Sequence, residues 1–112
     1  MEKFLLLIRE DLKKMSEMSE EEFNRDLQLM MTWMESLSES GDLGTGEPLL
    51  TTGRYVNKDR VLSDGPFLEA KEAISGYMII TAENLDQAAS MTQTCPLIIE
   101  GKIAIEVRQI WK

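Results

Sequence analysis

The sequence of 112 residues contains no histidine, one cysteine and three prolines. Without histidine, the chain has no imidazole for acid–base catalysis, no Ser-His or Cys-His nucleophile pair and no histidine-containing zinc site. The lone Cys95 excludes an internal disulfide and favours a reducing, cytoplasmic location. Because no apolar run approaches the ~20 residues that span a bilayer, and no signal-peptide pattern is present, we expect no membrane association.

Basic residues are scarce in one part of the chain. Residues 10–47 hold 11 acidic and 3 basic side chains, so this segment accounts for the whole formal net charge of −8. A solvated helix face explains the imbalance, and an acidic docking surface for a basic partner is the alternative. Nucleic-acid binding is not expected, because Asp59 and Asp64 interrupt the nearest basic cluster, which contains Arg54 and Arg60.

The first half of the chain predicts a strand and a long helix within one domain that spans residues 1–112. Residues 3–9 are apolar with charged ends, which favours a strand buried on both faces. Ser19-Glu20-Glu21-Glu22 forms a capping box. The helix is expected to run from about Glu20 to Glu39 and to stop at Gly41. Its apolar stripe consists of Phe23, Leu27, Met30, Met31, Met34 and Leu37.

Two features of this half have alternative interpretations. Met15 and Met18, together with the three methionines of the helix, are interpreted as core filling, with a pliable binding surface as the alternative. Residues 41–48 are rich in glycine and predict a loop. A phosphate-binding loop is disfavoured, because the segment lacks the lysine and the following helix of such loops.

The middle of the chain predicts a β-hairpin. Residues 49–56 are expected to form a strand, Asn57-Lys58 a tight turn and residues 60–63 the returning strand. Asp64-Gly65-Pro66 breaks that strand, and residues 67–73 fit either a loop or a short helix.

The remainder predicts a strand, a helix and a final strand. Residues 76–81 are apolar on both faces. Asn84 caps a helix that ends before Pro96, since the residue before proline is pushed out of helical geometry. In the last strand the apolar and polar positions alternate. One face therefore carries Ile103, Ile105 and Val107, and the other face carries Ala104, Glu106 and Arg108.

These elements predict an α+β fold with both helices on one face of a small sheet. The strands around Leu6 and Ile79 are nevertheless apolar on both faces. Each large apolar side chain left in water would forgo roughly 1.5–3 kcal/mol. We therefore expect a second copy of the chain to pack sheet to sheet as a homodimer. A monomer with a long loop across that face is the alternative.

The sequence resembles the DGPF-motif branch of the YCII-related proteins across nearly its whole length. The segments that carry the resemblance are Asp64-Gly65-Pro66-Phe67, Glu69, Lys71-Glu72, Gly76-Tyr77, Asn84-Leu85-Asp86-Gln87-Ala88, Cys95-Pro96 and residues 105–111. The resemblance implies a ferredoxin-like antiparallel sheet with two helices on one face, which dimerises into an α+β barrel with a cleft between the sheets.

The same resemblance implies a small bacterial cytoplasmic protein. Some relatives are thought to use a His-Asp pair in the cleft, and one eliminates chloride from a chlorinated hydroxyquinol. The pair cannot be carried over to a chain without histidine. Genes of the DGPF branch often lie beside those of extracytoplasmic-function sigma factors, which implies a regulatory link.

Five residues are candidates for the site. Asp64 has a local interpretation, in which its carboxylate forms the turn before Gly65, and a functional one, in which it acts as a general base or polar anchor. Arg108 would hold a substrate carboxylate or phosphate beside Glu106, with an interfacial ion pair as the alternative. Arg54 and Tyr77 are additional cleft candidates, but a one-residue change of strand register would move them to the other face.

The composition predicts neither a metal site nor an organic cofactor. The first functional hypothesis is a dimeric protein that binds an unknown small molecule between its subunits and carries out cofactor-independent lyase or isomerase chemistry. The second is a non-catalytic interaction or sensory partner of a transcription regulator, with residues 20–22 of the acidic helix as its docking face.

Overall fold

The computed structural model describes residues 1–50, 52–62 and 72–111. In chain order its elements are β1 (Glu2–Asp11), α1 (Leu12–Glu17), α2 (Glu20–Glu39), β2 (Leu43–Pro48), β3 (Tyr55–Val56), β4 (Val61–Leu62), β5 (Glu72–Ala82), α3 (Leu85–Thr92), α4 (Pro96–Ile99) and β6 (Ile103–Gln109).

A four-stranded antiparallel sheet forms the centre of the fold, with strand order β2-β5-β1-β6. The short strands β3 and β4 pair with each other as a separate hairpin. The long helix α2 follows β1, and α3 follows β5, so the topology is ferredoxin-like. The predicted α+β class is therefore confirmed. Of the predicted hairpin, the structure shows the pairing of Tyr55–Val56 with Val61–Leu62.

The core lies on the helix side of the sheet. Phe4, Leu6 and Ile80 are fully buried there, and α2 packs Trp33 and Leu37 onto them. The indole of Trp33 donates a hydrogen bond of 2.8 Å to Thr94 Oγ1, which satisfies the one polar atom of that large side chain. Ala88 of α3 belongs to the same core, so both main helices cover one face, as predicted.

Strand register determines which side chains lie on the opposite side of the sheet. Leu5 is paired with Ile79 and Arg108, and Leu7 with Tyr77 and Glu106. Because neighbouring residues of a strand point to opposite faces, these side chains point away from the helices. We call this surface the open face; its members are Leu5, Leu7, Arg9, Tyr77, Ile79, Glu106 and Arg108.

Some local predictions differ from the structure. The helix over 20–39 is confirmed, but the loop predicted over residues 41–48 is wrong, since Leu43–Pro48 is an edge strand. Glycine is required in that strand, because a Cβ on Gly46 would lie 2.9 Å from Met78 Cγ and 3.0 Å from the Tyr77 carbonyl oxygen. The strand predicted over residues 49–56 is reduced to Tyr55–Val56.

The structure also adds a short helix that the sequence analysis missed. Leu12–Glu17 forms α1, whose N-terminal amides at Lys13 and Lys14 donate to the Asp11 carboxylate. Of residues 67–73, which were ambiguous, the last two belong to β5. The remainder lies outside the described residues.

Candidate functional site

An ion-paired cluster of three side chains occupies the open face. The Arg9 guanidinium donates to Glu106 Oε1 from Nε at 3.2 Å and from Nη2 at 2.8 Å. Arg108 Nη1 donates to the other carboxylate oxygen of Glu106 at 3.2 Å. Hydrogen bonding from Arg9, and then from Arg108, holds the pKa of Glu106 below its usual range. Glu106 is therefore an anion that holds two cations in place and a weak base.

Tyr77 lies on the same face, near the edge strand β2. Its hydroxyl donates to Glu47 Oε2 at 3.0 Å. This hydrogen bond to a carboxylate, followed by the negative charge of Glu47, raises the pKa of Tyr77. The phenol is therefore protonated at neutral pH and can act as a hydrogen-bond donor.

Apolar side chains separate the charged cluster from the tyrosine. Leu5, Leu7 and Ile79 are half-buried within the chain, and Ile74, opposite Arg9, is 39% exposed. The open face therefore combines an apolar strip with two guanidinium groups and a phenol. Such a surface can pack against an apolar partner and orient an anionic or phenolic group.

Three of the five predicted site residues lie together on the open face. These are Glu106, Arg108 and Tyr77. Glu106 and Arg108 lie on this face because the alternate residues of β6, namely Ile103, Ile105 and Val107, pack toward the helices as predicted. Arg54 is exposed outside this sheet, just before β3, where it donates to the Gly53 carbonyl oxygen at 2.8 Å. Asp64 lies outside the described residues.

Arg9 is a site residue that was not predicted from the sequence. It was interpreted only as the charged end of an apolar strand. Strand alternation from Leu5 and Leu7 would have placed it on the same face as both leucines, so the signal was present in the sequence.

A second feature, a cavity of about 430 Å³, lies between α2 and the helix side of the sheet. Ile8, Met78 and Ile103 line it from the sheet, and Met30 and Met34 line it from α2. Met15, Met18 and Met31 contribute as well, so all five methionines singled out in the sequence line the cavity. Met30 and Met34 also pack against the core, in agreement with their interpretation as core filling.

A network of ion pairs lies beside the cavity, which Asp26 lines. Asp26 is buried, with only 8% exposed, and both of its carboxylate oxygens lie 3.1 Å from Lys102 Nζ. Hydrogen bonding to Asp26 raises the pKa of Lys102. Arg25 contacts Asp26 at 3.1 Å and Glu100 at 3.0 Å, and its hydrogen bond lowers the pKa of Glu100. This network connects α2 to the segment before β6.

Neither a reactive thiol nor a metal-binding cluster is evident in the part of the chain that the structure describes. Cys95 is buried beneath α2, where desolvation raises the pKa of its thiol and disfavours the nucleophilic thiolate. Over residues 1–50, 52–62 and 72–111, no group of three or more Cys, Asp or Glu side chains could hold a metal ion. No helix of these same ranges is long and apolar enough to cross a membrane.

Comparisons with known proteins identify a family and solved structures with a similar fold. Curated protein sequences give no significant match. The dehydrochlorinase for 5-chloro-2-hydroxyhydroquinone (TftG) from Burkholderia phenoliruptrix AC1100, solved with 2,5-dihydroxybenzoquinone, has a similar fold. Its TM-score is 0.62 at 18% sequence identity, and the alignment covers 98% of this chain and 93% of that chain. The family model of the YCII-related domain matches residues 3–112. This chain therefore belongs to the YCII-related domain family.

Proposed function

We propose that the chain forms a homodimer through its open face and that the two sheets enclose a site for a small anionic molecule. The observation that supports this proposal is the apolar strip of Leu5, Leu7 and Ile79, which lies beside two arginines on a face without a covering helix among the described residues.

Dimerisation accounts for the apolar strip. A single chain leaves these side chains only half-buried, whereas a second sheet would remove them from water at about 25 cal/mol for each Å² of apolar surface. The same surface on both copies makes a closed, isologous contact, which is the commonest arrangement of homodimers. Hydrophobic packing therefore favours sheet-to-sheet pairing.

Charge on the open face favours an anionic ligand. Two guanidinium groups share the single carboxylate of Glu106, so the cluster carries one surplus positive charge. Arg108 is the more exposed of the two, with 69% of its side chain accessible. Its planar fork suits a carboxylate, phosphate or enolate oxygen pair.

The reaction class we propose is a lyase or isomerase step without a cofactor. The dehydrochlorinase activity of the structural neighbour is compatible with this class, although that likeness supports the fold alone. Glu106 is a poor base because two arginines stabilise its anion. We therefore retain Asp64 as the proposed base and assign Arg108 and Tyr77 to binding.

Light scattering tests the dimer. We expect the protein to have about twice the mass of the 12.8 kDa chain at micromolar concentration, and Leu7→Glu to give monomers, because a carboxylate at the interface would be desolvated without a partner. Ile99→Glu is the matched control, since Ile99 is already 72% exposed on α4. A wild-type mass of one chain at every concentration would contradict the dimer.

Calorimetry with 2,5-dihydroxybenzoquinone tests the anion site. This acidic quinone is negatively charged at neutral pH. We expect it to bind the wild-type protein and Arg108→Gln to weaken binding about tenfold through loss of a charge-assisted hydrogen bond. Arg60→Gln, in the exposed hairpin connection, should leave the affinity unchanged. Equal affinity for Arg108→Gln and the wild type would reject the assignment.

A further inference from the structure

The cavity between α2 and the sheet shares Tyr77 with the proposed open-face site but is otherwise not used by the proposed function. It lies on the helix side, where Met78 and Ile103 face Met30 and Met34, whereas Arg108 and Glu106 lie on the other face. Its 430 Å³ is within the ~300–1,000 Å³ range of sites that hold small molecules. The cavity is therefore large enough for a ligand of its own.

The walls of this cavity are adaptable. Five methionines contribute to the lining, and the unbranched thioether side chain can change rotamer to fit differently shaped apolar bodies. At the rim, Phe23, Leu27 and Met31 are each about half exposed, which leaves apolar surface next to the opening. These features favour an aromatic or aliphatic ligand body.

Every charged residue that lines the cavity, among those described, is acidic. The three are Glu10, Asp26 and Glu47. Asp26 is paired with Lys102, and Glu47 accepts a hydrogen bond from Tyr77. Glu10 is half-buried and forms no hydrogen bond or ion pair with any described residue. A half-buried carboxylate that has no partner among the described residues and lies beside an apolar cavity complements a cationic group.

We infer that this cavity is a second ligand site, which binds an apolar molecule bearing a protonated amine, with Glu10 holding the ammonium group. The inference goes beyond the proposed function, because the cavity lies on the helix side of the sheet and prefers a ligand of opposite charge. Tyr77 belongs to the open face and, like its partner Glu47, also lines the cavity, so the two sites meet near the β2 edge of the sheet. A ligand here would join α2 to β1 through Met30 and Glu10.

Three probes of nearly the same shape test the charge preference. They are 1-naphthylmethylamine, which is cationic at neutral pH, 1-naphthylmethanol, which is neutral, and 1-naphthoic acid, which is anionic. We expect affinity to fall in that order. Labelled methionine methyl groups locate the binding, and the signals of Met30 and Met34 should shift with the amine. The inference would be overturned if 1-naphthoic acid bound at these methyl groups with the same affinity as the amine. It would also be overturned if the amine left the signals of Met30 and Met34 unshifted.

Variants test the role of Glu10. Glu10→Gln should weaken the amine about tenfold and leave the alcohol unchanged, since only a charge-assisted contact is lost. Met31→Lys places a positive charge at the half-exposed rim and should weaken the amine without entering the core. Glu35→Gln on the exposed side of α2 is the control and should change neither. An unchanged amine affinity in both Glu10→Gln and Met31→Lys would reject the site, whatever the dimer and quinone experiments give.

Discussion

Glu106 accepts hydrogen bonds from Arg9 and Arg108, and its charge depends on both. Arg9 makes two of the three contacts and is also the less exposed arginine. Because both guanidinium groups favour the anion, the folded-state pKa of Glu106 lies below its ordinary value. Arg9, which was not predicted as a site residue, is therefore the residue that contributes most to the lowered pKa of Glu106.

This arrangement predicts a pH dependence of stability. The ion pairs of Glu106 stabilise the fold fully at pH values above the pKa of an ordinary glutamate, which is near 4.3. Because the folded-state pKa is lower still, this stabilisation is lost as the pH falls through the folded-state pKa. We therefore expect the stability difference between the wild type and Glu106→Gln to shrink as urea unfolding is repeated from pH 6 down to pH 3.

A carbon-detected titration of Glu106 measures the cause directly. Arg9→Gln should raise its midpoint more than Arg108→Gln, because Arg9 makes the stronger contact. Lys13→Gln removes an equal charge from α1 and is the control, since Lys13 makes no contact with Glu106. Equal midpoints in the wild type and Arg9→Gln would refute this description of the cluster.

Helix starts are the elements that sequence patterns predict best in this chain. Asn84 Oδ1 accepts from the Gln87 amide at 2.8 Å, and the Gln87 side chain accepts from the Glu83 amide at 2.6 Å. At α2, Ser19 Oγ accepts from the Glu22 amide at 3.1 Å, while Glu22 Oε1 lies 3.6 Å from Lys102 Nζ. Both caps were predicted, because capping requires only residues that are close in sequence.

Removal of the α3 cap should have a measurable cost. Asn84→Ala leaves the Gln87 amide without its acceptor, and we expect a loss of about 1 kcal/mol in the free energy of unfolding, with Asn84→Ser close to the wild type. Asn24→Ala is a matched control, because exposed Asn24 lies within α2, where alanine is the better helix former. Equal losses at positions 24 and 84 would contradict the capping role.

The edge strand β2 is the element that sequence patterns failed to predict. Gly44 and Gly46 resemble turn residues when only neighbouring residues are considered. Their actual role is to let the backbone of β2 approach Ile79 and Met78 of β5, residues more than thirty positions away. Local rules cannot distinguish a glycine that turns the chain from one that permits close contact.

At the scale of the whole molecule, the sequence predicted the two-faced sheet and missed the cavity. The open face follows from the alternation of side chains in β1 and β6 and from the two predicted helices, which can cover one face of the sheet. Glu106 and Arg108 could therefore be assigned to the open face from the sequence. The cavity depends on how far α2 stands from Ile8 and Ile103, which is a property of the packed chain. The methionine positions alone fitted either core filling or a pliable binding surface.

The position of β1 inside the sheet has a consequence for biosynthesis. This first strand is hydrogen-bonded on both sides, by β5 and by β6, so Leu6 meets Met78 and Val107. A ribosome must therefore translate nearly a hundred further codons before the last neighbour of β1 is available. Until then, one edge of this apolar strand lacks its partner. The pairing of β1 with β6 is therefore a non-local contact that forms late, and such contacts slow folding.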